Sequence, residues 1–223
     1  MPTQTFFRLE SEKQEKIISA AKKEFSNVPI HEASIANIIK EAEIPRGSFY
    51  QYFSGKEDLF YYLFDSVRKA PETYFLMCLK EENGNIFETF KKFFPKFVKG
   101  VFEGEDALFL KNIFLHMNYK SSVRFMMSEM NEEEKEAHIK HMKNHRKDSE
   151  LSFSKITEMV DQDSLKINSE REFKILFRQL WTMVLNTVNE GYRMKYHEKE
   201  FDLELLINDF NMKINWLEFG ILK

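Results

Sequence analysis

Apolar residues recur along most of this chain at three- and four-residue spacing, the period of a helix lying half in a core. Ile17, Ile18, Ala21 and Phe25 set that pattern over residues 11–26, and the stretch NVPIHEA breaks it at Pro29. Ser34 then stands where an N-cap belongs, ahead of Ile35, Ile38, Ile39 and Ala42. Pro45 ends this second helix by biasing Ile44 away from the α region. Being tolerated in a first turn, Pro45 also opens a third short helix, expected to run to about Phe53. SGKED starts a fourth, with Ser54 as cap and Glu57 completing a capping box. Leu59, Phe60, Leu63 and Phe64 continue its apolar face, and Pro71 is expected to kink or end it.

Further on, ENGN at 82–85 reads as a turn and IFETFKKFFPKFVKGVF at 86–102 as an aromatic helix bent at Pro95. GED at 104–106 marks another turn before ALFLKNIFLHM resumes the period. Residues 131–150 are almost wholly polar and read as a solvated helical stretch. After DQDS at 161–164 come two strongly amphipathic helices. The first carries Phe173, Phe177, Leu180, Trp181, Val184 and Val188, the second Leu206, Phe210, Ile214 and Leu217. No segment alternates with period two and no repeat is visible, so the expected fold class is all-α.

Composition narrows this picture. The 223 residues allow one large domain or two smaller ones, and 7 Gly with 5 Pro are too few for a loop-rich β-sandwich or repeated Gly-rich phosphate cradles. A net charge of −3 gives the whole chain no bulk attraction for nucleic acid or anionic membrane. Cys78 is the only cysteine, which excludes an internal disulfide and any cysteine-based zinc cluster and fits a cytoplasmic setting. The start MPTQTFFRLESEK lacks the pattern of a secretory signal, and no run approaches a membrane span.

Two short helices joined by a tight turn, 34–42 and 45–53, with longer helices on either side, form a helix-turn-helix pattern. In such a unit the second helix enters the DNA major groove, its first residues nearest the bases. PRGSFYQYF suits that place. Arg46 can pair with guanine O6 and N7, Gly47 lets the helix start approach the duplex, and Ser48 can donate to a phosphate or a base. Phe49 and Phe53 are expected to face inward and Tyr50, Gln51 and Tyr52 outward, the tyrosines toward phosphates and Gln51 toward an adenine edge. Lys56 adds charge at the next helix N-terminus. Residues 1–70 nevertheless contain ten Lys/Arg and ten Asp/Glu, so binding is expected to depend on dimerisation and a few placed contacts.

From about residue 13 to 64 the chain resembles the DNA-binding domain of TetR-family transcriptional regulators. The matching residues are Ser34 to Ile38, then Gly47-Ser48-Phe49-Tyr50-Gln51-Tyr52-Phe53, then Lys56 and Leu59. One departure is Ala42-Glu43-Ile44, where the family usually has Gly at the middle position. Glu43 then needs the left-handed conformation that Gly adopts freely, or the turn differs slightly from the family's. The resemblance implies a helix-turn-helix domain at 1–53 and a helical effector-binding and dimerisation domain at 54–223, with 54–70 as connecting helix. It implies a homodimer formed by residues 169–195 and 201–219, with Phe177, Leu180, Val184, Val188, Leu206, Phe210, Ile214 and Leu217 at the interface. A repressor acting on a pseudo-palindromic operator follows from it.

It also implies a small-molecule pocket between residues 86 and 160. Phe94, Phe97, Phe109, Phe114, Met117 and Trp181 are candidates to line it for a bulky apolar effector, with Arg178 as anchor for an acidic group. Control by a protein partner instead of a small molecule is the alternative. His138, His141 and His145 share one helical face and could hold Zn²⁺ or Ni²⁺, but their polar neighbours favour a solvated helix, and no metal or other cofactor is expected. None of the six histidines follows a Glu by three residues, and no G-x-S-x-G, Walker or HExxH motif occurs, so catalysis is not expected.

Overall fold

The computed structural model describes residues 2–116, 139, 143, 147, 150–198 and 201–221. Among the described residues there are helices and turns but no strand. In chain order the helices are α1 (Gln4–Phe7), α2 (Ser11–Asn27), α3 (Ile35–Glu41), α4 (Arg46–Tyr52), α5 (Lys56–Glu81), α6 (Ile86–Glu103) and α7 (Ala107–His116). Helical residues 150–159 and a 3-10 turn at Gln162–Ser164 lead to α8 (Glu170–Arg193). A π-helical turn at Met194–Glu198 and then α9 (Leu203–Phe219) complete the chain.

The chain folds as two compact units, Met1–Lys69 with Asp106–Asp148 and Ala70–Glu105 with Ser149–Lys223. α5 contributes its first half to one unit and its second half to the other. The first unit is built on Ile17, Ala21 and Phe25 of α2, Ile38 of α3, Phe49 of α4 and Leu59 and Leu63 of α5, all essentially without solvent exposure. α7 joins them: Phe109 lies 5.5 Å ring to ring from Phe60, and Asn112 Nδ2 donates to the Phe25 carbonyl at 2.9 Å. Lys22 and Asp106 add an ion pair between the same two segments.

The second unit is packed with aromatic rings. Phe75, Phe90, Phe93, Phe177 and Trp181 meet mostly edge to face at 5.0–6.3 Å, a geometry that places each ring's positive edge on a neighbour's negative face. Phe94 stacks on Phe210 at 3.8 Å, joining α6 to α9. α8 approaches α6 and α9 closely at Gly191, where a Cβ would stand 2.5 Å from Leu206 Cδ1 and 2.7 Å from Phe102 Cζ. At Gly84 the backbone turns with φ +83° and its carbonyl accepts from the Asp161 amide at 3.0 Å.

Three local expectations are corrected. α5 runs through Pro71 without ending, because the lost hydrogen bond, costing about 3 kcal/mol, is offset by burial of Phe75, Cys78 and Leu79 beyond it. α6, by contrast, is the single helix expected, with Pro95 inside it. α5 begins at Lys56, two residues past the expected cap Ser54, and Asp58 accepts from the Ser54 amide at 3.2 Å. Pro45, expected inside α4, is its N-cap, with φ −62° and ψ 146°.

Candidate nucleic-acid interface

α4 has one face sunk in the first unit and one face open. Phe49 and Phe53 are fully buried, as their four-residue spacing predicts, and hold the helix against α2, α3 and α5. Arg46, Gly47, Tyr50 and Gln51 are exposed, and Ser48 is half-buried. The Arg46 guanidinium lies 5.9 Å from the Tyr50 ring centroid, so the cation and the phenol share one side of the helix. A Cβ added at Gly47 would meet nothing within 4 Å. The protein's own packing therefore does not require glycine there, and the bare backbone leaves room for something outside the chain.

Tyr52 does not project outward. It is 4% exposed against 46% for Tyr50, because it falls three residues after Phe49 on the inner face and packs near Phe6, 6.3 Å between rings. Lys56 is also committed within the protein: its Nζ donates to the His31 and Ala33 carbonyls, both at 3.0 Å, tying the loop before α3 to the start of α5. Ser34 is the α3 N-cap with extended backbone, but its side chain makes no cap bond. Instead its amide donates to Glu24 Oε1 at 2.8 Å, and Asn37 Nδ2 donates to the same carboxylate.

The turn between α3 and α4 is set at Glu43, where φ is +52°, the left-handed conformation that the missing glycine would have adopted. The Ile44 amide donates to the Ile39 carbonyl at 3.1 Å across this turn, a closure that satisfies a free helix-end carbonyl. Glu43 pairs with Lys16 on α2, and the hydrogen bond from that lysine, followed by its charge, holds the Glu43 carboxyl below the usual range. Lys23 of α2 pairs with Glu41 at 2.7 Å, a second tether on the same side of α3.

The patterns missed α1 altogether, since four residues are too few to show a period. Phe6 is fully buried 4.9 Å from Phe53 and 5.7 Å from Tyr62, and Thr3 makes two hydrogen bonds to the end of α4. The doublet Phe6-Phe7 ahead of α2 was the one available signal.

The other expected sites divide between the units. Phe109 and Phe114 lie on α7 in the first unit, Phe109 as core, whereas Phe94, Phe97 and Trp181 belong to the second. Phe94 is fully buried against Phe210, and Arg178 is exposed on the outer face of α8, opposite the buried line Phe173, Leu180, Val184 and Val188. Of the residues expected at a dimer interface, Leu180, Val184, Val188, Leu206, Phe210 and Ile214 are 0–1% exposed within the single chain and form its core. Phe177 is half-buried there, and Leu217 alone is exposed. A helix shows its widest apolar stripe to the nearest partner, which here is the chain itself. Met117, His138, His141 and His145 lie outside the described residues.

No described helix is long and apolar enough to cross a membrane. Two family models match the chain: bacterial regulatory proteins of the tetR family over residues 17–63, and the tetracyclin repressor-like C-terminal domain over residues 85–221. The HTH-type transcriptional regulator HbdR of Aromatoleum sp. (strain CIB) is 37% identical over 67 residues, which are 30% of this chain and 28% of that protein. The fold is similar to that of a Pseudomonas aeruginosa PAO1 protein assigned as a transcriptional regulator, with TM-score 0.63, 14% identity, and 96% and 95% of the two chains covered. It is also similar to a cysteine mutant of the TetR family regulator CifR solved with 26-base-pair operator DNA, with TM-score 0.57, 13% identity, and 93% and 98% covered. With both models in place and the second alone spanning more than half of the residues, this chain belongs to the TetR family of transcriptional regulators, which are DNA-binding proteins and not enzymes.

Proposed function

We propose that this protein is a cytoplasmic homodimeric repressor that binds a pseudo-palindromic operator through α4 and is released by a small hydrophobic effector. The observation that carries the reading is the open face of α4: a cation at Arg46, a bare backbone at Gly47 and polar tips at Tyr50 and Gln51, on a helix whose other face is locked by Phe49 and Phe53. Arg46 reads a guanine edge, Gln51 an adenine edge, and Tyr50 and Ser48 hold phosphates. Lys56 and Ser34 fix the loop and helix beside α4, and Tyr52 supports it from within.

Dimerisation uses the outer faces of the last two helices. Ile175 and Leu185 on α8, with Leu205, Met212, Trp216 and Phe219 on α9, are all exposed apolar side chains that water would leave only at a partner surface. A two-fold pair of such surfaces sets two α4 helices on two half-sites. The effector reading draws support from the aromatic cluster of the second unit, where Phe97, Phe177 and Trp181 are only partly buried. Coupling is reciprocal, so operator DNA weakens effector binding by the factor by which effector weakens operator binding.

The test is a salt titration of binding to the DNA upstream of the protein's own gene, against random duplex. Saturable binding of two subunits per site to the first duplex, falling steeply with salt, is expected. Equal and weak binding to both duplexes would overturn the proposal.

A further inference from the structure

The end of α4 is held by the start of the chain. α4 has seven residues, too few for a helix to persist by its own hydrogen bonds, and its last carbonyls have no partner within it. Thr3 supplies two: its amide donates to the Tyr52 carbonyl at 2.9 Å, and its hydroxyl donates to the Gln51 carbonyl at 2.6 Å. Three residues on, Phe6 is fully buried among Phe53, Tyr52 and Tyr62 with ring separations of 4.9, 6.3 and 5.7 Å. Pro2 is buried as well, while Thr3, Gln4 and Thr5 stay exposed. The segment is thus pinned at both ends, and the threonine between the pins sits on the final turn of α4.

We infer that Thr3 is a positioning residue for base reading, acting through α4 without touching DNA. Gln51 is the residue whose carbonyl Thr3 holds, and its side chain is one of the two proposed base readers. Fixing that carbonyl fixes the last turn from which Gln51 projects. A reader held in one orientation loses less freedom on binding, so the clamp adds to affinity for the cognate sequence more than to phosphate attraction. Phe6 anchors the clamp, and the hydroxyl of Thr3 is the part that a merely apolar anchor would not need.

This inference rests on α4 being the DNA-reading helix, and the experiment separates the two. The probe is the tightest duplex that the wild-type protein selects from a randomised library, compared with unselected duplex. Thr3→Val removes the hydroxyl and keeps the amide; Thr3→Ser keeps both. Thr3→Val should lose about fivefold in affinity for the selected duplex, as befits one hydrogen bond, with little change on unselected duplex. Amides of α4 should exchange faster than in wild type while those of α2 and α6 do not, and Thr3→Ser should restore both readouts. Wild-type affinity in Thr3→Val, an equal loss on both duplexes, or no rescue by serine would overturn the inference. If Arg46→Ala fails to weaken the selected duplex, or none is selected, the reading of α4 itself falls and this inference with it.

Discussion

Tyr50 and Tyr52 have the same side chain two positions apart, and α4 sends one to solvent and the other into the core. What separates them is a rotation of about 200° around the helix axis, not chemistry. The open position therefore predicts a general loss: Tyr50→Ala should weaken binding to every duplex alike, since phosphate contacts carry no sequence. Arg46→Ala should instead relax base preference at one position, with about 1–3 kcal/mol at stake. Fluorescence-anisotropy titrations on cognate and random DNA distinguish the two, and equal losses for Arg46→Ala would remove it from base reading. Gly47 makes a sharper case, because its substitution should move stability and binding in opposite directions. With no atom near the new methyl, Gly47→Ala should stabilise the fold by up to about 1 kcal/mol. The same methyl would meet the duplex, and operator affinity should fall about tenfold or more. Thermal unfolding and operator titration on one variant check both signs, and a stabilised variant that binds normally would refute the close approach.

Elements here are shaped by their ends and crossings more than by propensity. The α3–α4 turn closes with a glutamate at φ +52° where glycine would be unstrained, and the ion pair to Lys16 sits on that same residue. α5 survives an internal proline because both halves have something to pack against. Gly191 is the crossing most exposed to change: the flanking Leu206 and Phe102 leave no room for a methyl group. Gly191→Ala should cost about 1–3 kcal/mol through forced side-chain shifts in the second unit, despite better intrinsic helix propensity. Urea unfolding measures it, and a neutral or stabilised variant would mean that those two side chains move aside freely.

For the whole molecule, the exposed apolar line on α9 is a feature that a lone chain does not account for. Leu205, Met212, Trp216 and Phe219 lie within one face of the helix, opposite buried Leu206, Phe210 and Ile214. Trp216→Glu places a charge in the middle of that line without touching the core. On the proposed interface, sedimentation should show Trp216→Glu as a monomer while the wild type sediments as a dimer, with helical content kept and operator binding lost together with half-site pairing. A dimeric Trp216→Glu would move the interface elsewhere.

The sequence by itself determined the helical class, the helix-turn-helix pattern and the inward Phe49 and Phe53, because each follows from spacing within one or two turns. The family resemblance marked Glu43 as either left-handed or part of a different turn, and the structure decides for the first, with φ +52°. Period alone could not tell the stripe that fills the chain's own core from the stripe left for a partner. Leu180 and Leu206 read the same as interface leucines until the packing of α6, α8 and α9 assigned them inward. Nor could it place α1 on α4, or Lys56 on the carbonyls of residues 31 and 33, since those contacts join segments far apart in the chain. Local periodicity is a property of neighbours along the chain; which face is covered, and by what, is decided only when distant segments meet.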